Sequence, residues 1–390
     1  LPRNLPQKPS AEPSATEYQF FELISSIKIV EKYDGKCSAQ IIKRFCDYVG
    51  IKEMGEDSQI KDQFWNLTGM RAQSFSHPGL RNRDNTGNKT LLVTTDQKQK
   101  FIMTFRHNLA YAELEAEVLK RLANKNSALP KLVNRSGHWL VQEYIDGERL
   151  TLALEAKDRK KTFKITCNAI SSLIGIQKDA QEIGFEKLVK PICTNQTWKD
   201  EKLTVLANIS KMSGLCAPEL DRRKVSKALE IKPLSFIKWD ARLGNGILRK
   251  NNKTCWFDWE HSGRRAGIDD LVWFLSDEWL NLETEDELLI INKFIDHFRK
   301  KEVCINSEQY LRIFGTIHMC GRLSKILELR QKRSSWIDRE KCITYDLMGV
   351  TAQESNRLIR KAARWANHTS LTRPLVPWLK NLSSWLMDKK

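Results

Sequence analysis

Residues 235–280 read SFIKWDARLGNGILRKNNKTCWFDWEHSGRRAGIDDLVWFLSDEWL. Two short strand-like runs, GILRK (246–250) and KTCWF (253–257), flank Asn251-Asn252, a pair suited to a tight turn. In a two-residue hairpin centred on 251/252, Ile247 should face Trp256, Leu248 should face Cys255, and Asn245 should face Asp258. Opposed residues of an antiparallel pair have Cα atoms about 4.5–5.5 Å apart. An amide oxygen and a carboxylate would then meet at the open end of one hairpin. Two hard oxygen ligands of this kind suit Mg2+, which keeps waters and takes its other ligands from substrate phosphates. Asp240 lies five residues before Asn245, in a loop that contains Gly244. A second carboxylate beside a metal–phosphate site can orient a hydroxyl and accept its proton. Asp and Asn are common loop residues, so D-x-x-x-x-N alone says little; the hairpin pairing raises the functional reading above that background.

Outward from this stretch the chain divides by composition. Residues 1–16 are rich in Pro, Ser and Lys and are expected to be disordered. They lack the apolar core of a secretory signal, and the chain opens on Leu1 rather than Met, which leaves a removed leader open. Residues 17–66 have helical apolar spacing. TLLVTT (90–95) and KFIMTF (100–105) read as strands joined by the polar turn DQKQ (96–99). A helix fits 110–125; strands follow in ALPKLV (128–133) and HWLVQEYIDGERL (138–150), closed by a turn at Asp146-Gly147. The remainder is mostly helical, notably 163–180, 283–302, 307–332 and 351–366.

The 390 residues carry 65 Lys plus Arg against 48 Asp plus Glu, a net charge of +17, and are 41% hydrophobic. That length holds two or three domain-sized units with a real core. The charge favours nucleic acid, an anionic membrane surface or anionic substrates and disfavours a polycationic substrate, while a solvated basic surface explains it equally well. No RRM, KH or zinc-finger signature is present, so no specific nucleic-acid motif supports the first option. No run reaches the roughly 18 apolar residues of a membrane-spanning helix. The nine cysteines are odd in number, form no CxxC pair and have no zinc spacing with His, which points to a reducing, cytoplasmic compartment without disulfides.

The central stretch resembles the phosphotransferase and metal loops of the aminoglycoside phosphotransferase / choline kinase family, whose pattern is H-x-D-x-x-x-x-N, a hairpin, an acidic-aromatic D-[FW]-E-like run and then G-x-x-D-D-L. Here stand Lys238-Trp239-Asp240, Asn245, Asp258-Trp259-Glu260 and Gly267-Ile268-Asp269-Asp270-Leu271. The resemblance implies an α+β, protein-kinase-like two-lobe fold with a small β-rich N-lobe and a larger helical C-lobe. After the tail (1–16) and the helical extension (17–69), read from composition and spacing, it implies a nucleotide-binding N-lobe (70–147) and a helical C-lobe with catalytic and metal loops (148–390). It further implies an ATP-dependent small-molecule kinase with Asp240 as catalytic base, Asn245 and Asp258 as Mg2+ ligands, and Asp269 or Asp270 as an acid bracing the loop. Upstream, Glu115, Leu119 and Leu122 are similar to the family's N-lobe helix. Glu143-Tyr144-Ile145 stand where its hinge binds adenine, and NTGNKTLLV (85–93) stands where its nucleotide-capping loop falls. The likeness covers roughly residues 78–335, with strong motifs only in 235–275.

The chain departs from the family pattern at three places. Lys238 replaces the family's His, which is largely structural. Thr104 stands where a strand Lys should hold nucleotide phosphates and pair with Glu115; Arg106, two residues on, shares its strand face and would substitute with a different geometry. The capping loop has only Gly79 and Gly87. The missing Lys supports an alternative, a catalytically impaired kinase-like binding or regulatory module; the intact Asp240/Asn245/Asp258 set opposes it. The acceptor is a small hydroxyl-bearing molecule, with an anionic one among the candidates.

Other residues have plainer readings. His318, Arg322 and Lys325 share one helix face and would suit an anionic acceptor, but a solvated face is the preferred reading. Arg264 and Arg265 would neutralise phosphate or decorate the surface, and His261 is a poorer base than Asp240. Trp365, Trp378 and Trp385 are read as core rather than as a membrane-surface helix.

Overall fold

The computed structural model describes residues 56–76, 78, 89–155, 158–298, 300–348 and 351–388. The tail 1–16, the helical reading of 17–55 and the glycines Gly79 and Gly87 lie outside the described residues. The chain separates into Leu1–Gln63 and Phe64–Lys390. Helix α1 (Glu56–Thr68) begins in the first unit; the site lies wholly in the second.

The smaller lobe is an antiparallel sheet of β1 (Ala72–Ser76), β2 (Lys89–Thr95), β3 (Lys100–Phe105), β4 (Leu132–Ser136) and β5 (Trp139–Glu143), in the order β1-β2-β3-β5-β4. Leu91, Val93 and Thr95 alternate as buried positions along β2, the period-2 signal of a strand with one covered face. Register carries the apolar row across the sheet: Leu91 opposes Met103, and Met103 opposes Val141. Helix α2 (Leu109–Leu122) starts where the Asn108 side chain accepts the Ala110 N–H at 2.9 Å. Its buried face holds Ala112, Ala116, Val118, Leu119 and Leu122, and among these apolar residues sits the buried carboxylate of Glu115.

Two expectations need correcting. Asp146-Gly147 does not close a hairpin within the small lobe. The chain crosses there to the larger lobe, where β6 (Gly147–Arg149) pairs with β8 (Gly246–Arg249), which in turn pairs with β9 (Thr254–Trp256). The hairpin register is also one residue off: Gly246 opposes Trp256, Ile247 opposes Cys255 and Leu248 opposes Thr254. The loop has a third residue because Asn252 takes a left-handed conformation (φ 61°) and Arg249 N–H bonds Lys253 O at 2.9 Å; Asn tolerates that conformation, and a turn closed by a left-handed residue is the usual three-residue hairpin. Phe257 N–H therefore bonds Asn245 O at 3.1 Å, and Asp258 lies one residue past the position opposite Asn245.

The larger lobe is helical. Short α3 (Leu150–Ala153) precedes α4 (Arg159–Glu182), α5 (Gln196–Ser213) and α6 (Arg222–Ala228). Strands β7 (Ser235–Ile237) and β10 (Gly263–Arg265) form a separate antiparallel pair. Then come α7 (Ile268–Leu275), α8 (Thr284–Phe294), α9 (Ser307–Arg333), α10 (Arg339–Tyr345), α11 (Ala352–Ala366) and α12 (Leu375–Asp388). Helix α8 is shorter than the expected 283–302. Past Phe294 the chain winds into tight turns that deliver buried Glu302, which accepts the Ser235 hydroxyl at 2.6 Å and the Gly267 N–H at 2.9 Å. Of the three tryptophans read as core, Trp365 and Trp378 are buried, with indole N–H groups donating to Glu287 and to Leu215 O, while Trp385 packs against the core half-buried. Among the described residues no helix is long and apolar enough to cross a membrane, and every cysteine is a free thiol.

Helices α9 and α11 approach closely because residue 315 has no side chain; a Cβ at Gly315 would overlap the Trp365 ring. Overpacking of this kind typically costs about 1–3 kcal/mol. Gly315→Ala should therefore lower the urea midpoint by an equivalent amount. Combination with Trp365→Leu should be less destabilising than the sum of the single changes, because the two sites share one volume.

Candidate functional site

Strands β7 and β10 set the site. The chain leaves β7 into the loop 238–245 and enters β10 from the loop 257–262, so pairing of Ile237 with Gly263 lays the two loops side by side. The first loop is held from behind by a buried carboxylate. Asp270 on α7 accepts Lys238 N–H at 3.0 Å, Trp239 N–H at 2.9 Å and the Gln177 amide at 2.9 Å. To present both N–H groups to one carboxylate, Trp239 adopts a left-handed conformation (φ 63°), an uncommon one for a bulky residue. Burial pushes the Asp270 carboxyl up to about 6, against the pull of its donors. Asp277 repeats the device further along, accepting Leu243 N–H at 2.9 Å. Burial and then Glu278 raise its pKa as well.

On this loop Asp240 and Asn245 meet directly: the Asn245 amide donates to Asp240 Oδ2 at 2.8 Å and to Asp240 O at 3.0 Å. Asn245 Oδ1 accepts from Arg242 Nη2 at 3.2 Å, which fixes which end of the amide faces Asp240. Arg242 is buried and pairs with Asp346, at 2.8 Å through Nη1 and 2.7 Å through Nη2. Asp346 caps the end of α10 in a left-handed conformation (φ 51°), and its carboxylate fills the space a Cβ at Gly244 would take.

The second loop is tied to the small lobe by Arg106, just past β3. Its Nε donates to Glu115 at 2.8 Å, Nη2 lies 2.7 Å from Asp258 Oδ1, and Nη1 lies 3.1 Å from Glu260. Burial opposes the guanidinium charge, but Glu115, Asp258 and Glu260 outweigh it and hold its pKa above the ordinary value. Glu115 also accepts Trp259 N–H at 3.2 Å, so α2 grips the loop through both a side chain and the backbone. Glu260 is pushed up by burial and then by Asp258: three carboxylates around one guanidinium leave an excess of negative charge. Lys238 adds a cation. Its Nζ donates to Asp258 O at 2.6 Å and lies 5.0 Å from the Trp259 ring centre, and burial lowers its pKa despite the acids around it.

The hinge and the other candidates can be placed too. Glu143 N–H bonds Lys131 O at 2.9 Å and its carboxylate accepts Lys131 N–H, so Glu143 is engaged within the sheet. Tyr144 and Ile145, beyond the strand, make no backbone hydrogen bond among the described residues. Arg265 is neither a surface charge nor a phosphate ligand. It is buried, pairs with Asp269 at 2.6 Å, and lies 4.5 Å from the Trp198 ring centre and 4.8 Å from that of Trp239. Of Asp269 and Asp270, Asp270 is the one that braces the loop. The His318 face is solvated only at its far end: His318 is buried, Arg322 half-buried and Lys325 exposed. His261 lies 3.6 Å from Glu260 and packs edge-on against Tyr111.

Asp240 and Asn245 are thus in contact, and Arg106 joins Glu115 to Asp258. Asn245 and Asp258 each meet a guanidinium rather than one another. Among the described residues no group of three or more His, Cys, Asp and Glu is disposed to hold a metal ion. Arg242, Asp346 and Asp277 escaped the sequence reading. The Arg within D-x-R-x-x-N was visible there, but its partner is 104 residues away.

No family model matches the chain, and neither does any curated protein. Among solved structures it is similar to a macrolide 2'-phosphotransferase type I (9% identity, 77% of this chain and 99% of that one, TM-score 0.47). It is similar to the aminoglycoside phosphotransferase APH(2'')-Ib in its ADP-bound form (15% identity, 76% and 100%, TM-score 0.45). It is also similar to the choline kinase LicA from Streptococcus pneumoniae (12% identity, 79% and 99%, TM-score 0.42). The functional reading rests on the geometry of the site itself.

Asp270→Ala would orphan three donors, each buried unpaired donor costing about 1–3 kcal/mol. The variant should be less stable by roughly 2–4 kcal/mol in urea titrations. The folded pKa of Asp270 stands above the ordinary 3.8, so folding favours its protonated form. Wild-type stability then falls as the proton leaves, and the gap between the two proteins should narrow as pH rises from about 4 to about 6.

Proposed function

We propose that this chain is an ATP-dependent kinase of the aminoglycoside phosphotransferase / choline kinase kind, passing the γ-phosphoryl group of ATP to a hydroxyl of a small molecule. The reading is carried by the 2.8 Å hydrogen bond from Asn245 to Asp240, made inside a loop whose backbone is held from behind by Asp270 and Asp277. That arrangement leaves Asp240 half-buried with its carboxylate oriented, as a base for a substrate hydroxyl requires. The acceptor oxygen gives its proton to Asp240 and bonds to Pγ, while the bond from Pγ to the departing ADP oxygen breaks. Catalysis comes chiefly from positioning and charge.

On this reading the nucleotide is held by the hinge and by Arg106. Tyr144 and Ile145, whose backbone groups make no hydrogen bond among the described residues, would meet the adenine edge. Arg106, held by Glu115, stands between the small lobe and Asp258 in the place of the absent strand Lys. Mg2+ is compatible with the donors present: Asp258 and Asn245 are hard oxygen ligands, and the carboxylate excess around Arg106 suits an added cation. Asp258 and Asn245 would hold it. Mg2+ bound there would offset phosphate charge. The chain's own residues supply the rest: Asn245 orients Asp240, Arg242 fixes Asn245, and Lys238 neutralises charge beneath Asp258.

Asp240→Asn should lower kcat by about 10²–10⁴ while leaving the affinity for Mg2+-ATP within about threefold, a difference of roughly 0.6 kcal/mol. The checks are labelled-ATP transfer over a panel of hydroxyl-bearing acceptors and calorimetric titration of nucleotide. Wild-type turnover in the variant would remove Asp240 from its role.

A further inference from the structure

One wall of the larger lobe gathers an indole N–H, an imidazole and two lysines that form no hydrogen bond or ion pair with the protein among the described residues. His318 on α9 is 5% exposed, and no hydrogen-bond partner meets its ring among the described residues. Edge-on to it, with ring centres 4.3 Å apart, lies Trp273 of α7, whose buried Nε1–H is likewise without an acceptor. Lys202 on α5 rests over Trp198 at 5.5 Å, and no carboxylate pairs with it. Lys325, on the His318 face of α9, is exposed and also has no acidic partner. Of the cations near His318, Arg322 alone is balanced, by the buried carboxylate of Glu278. These charges act on one another. Burial and then Lys202, Arg322 and Lys325 depress the His318 pKa, and burial and then Lys325 depress that of Lys202.

An unpaired buried donor costs about 1–3 kcal/mol, and unopposed like charges add to that. A fold that sets the unpaired indole N–H of Trp273 and the buried imidazole of His318 beside two lysines without ion pairs matches a ligand rich in acceptors and negative in charge. The wall adjoins the base loop: Trp239, the residue before Asp240, contacts Trp273 at 5.3 Å and Trp198 at 6.0 Å between ring centres. We propose that Lys202, Trp273, His318 and Lys325 form a subsite for an anionic group, carboxylate or phosphate, carried by the hydroxyl-bearing acceptor. The inference rests on the kinase reading only in taking the anion to be part of the acceptor. The same donors repel polycations such as aminoglycosides.

The test separates the two claims. Full-length protein is titrated with inorganic phosphate and, separately, with malonate, followed by tryptophan fluorescence and calorimetry without nucleotide. Wild type should bind at least one of them. The double variant Lys202→Met/Lys325→Met should bind that anion at least tenfold more weakly with an unchanged thermal midpoint, and Asp240→Asn should bind it as wild type does. The anion that binds identifies the acceptor's charged group. Failure of wild type to bind either anion, or unaltered binding by the double variant, overturns the subsite. Anion binding by a wild-type protein that transfers no phosphoryl group to any acceptor overturns the kinase reading and leaves the subsite standing.

Discussion

Two oxygens of one buried carboxylate fix the backbone on which the site is built. Asp270 accepts the N–H groups of both Lys238 and Trp239, which requires the chain to turn left-handed at Trp239. Such a conformation costs on the order of 1–3 kcal/mol in a residue with a side chain, so something must hold the indole. The ring packs against Trp273, Trp198 and Phe314, and the Arg265 guanidinium lies over it. Strain in the backbone is thus balanced by an aromatic layer behind it. Asp240 follows immediately, so its orientation is set before any ligand arrives.

Arginine, rather than lysine, carries most of the interior charge. Arg106 serves three carboxylates through different nitrogens of one planar group, and Arg242 joins Asp240, Asn245 and Asp346 in the same way. An ammonium is a point charge and cannot span such a set. Two residues past Thr104, Arg106 reaches Glu115 and Asp258 at once. These pairs are also intolerant of truncation, since removing one partner leaves an uncompensated buried charge at a cost of about 3–5 kcal/mol. Lys238, with Lys199 and Lys361 one of three buried lysines among the described residues, is held differently. Its ammonium finds a carbonyl and an aromatic face but no contacting carboxylate, and burial lowers its pKa.

The two lobes were legible because period-2 and helical apolar spacing are local, and Leu91 to Thr95 or Ala112 to Leu122 carry them plainly. The nearness of Asp240 to Asn245 was legible for the same reason, being five residues of one loop. Hairpin register was not. A symmetric Asn-Asn tip does not say whether the second Asn will turn left-handed, and that single angle at Asn252 shifts every pair by one. Contacts between distant segments were hidden altogether. Arg242 with Asp346 and Glu302 with Ser235 join elements whose order in the chain says nothing of their meeting. The His318 face misled for a different reason: spacing places residues on one side of a helix but does not say whether that side meets water or Trp273.

Net charge is a poor guide to what such a site takes in, because the surplus is distributed unevenly. Around Arg106 and Asp240 the carboxylates are in excess: Glu115, Asp258, Glu260 and Asp240 act together on the groups between them. One aromatic layer away the balance leans the other way: Arg322 pairs with Glu278, while Lys202 and Lys325 form no ion pair among the described residues. Coulomb interactions at such distances are strong where water is excluded and weak across open solvent. The local imbalance, not the +17 of the whole chain, therefore sets the electrostatics of each region. On the reading proposed above, a hydroxyl is favoured beside Asp240 because it can give up a proton there, and a negative group is favoured beyond Trp239 because Lys202 and Lys325 on that side form no ion pair among the described residues.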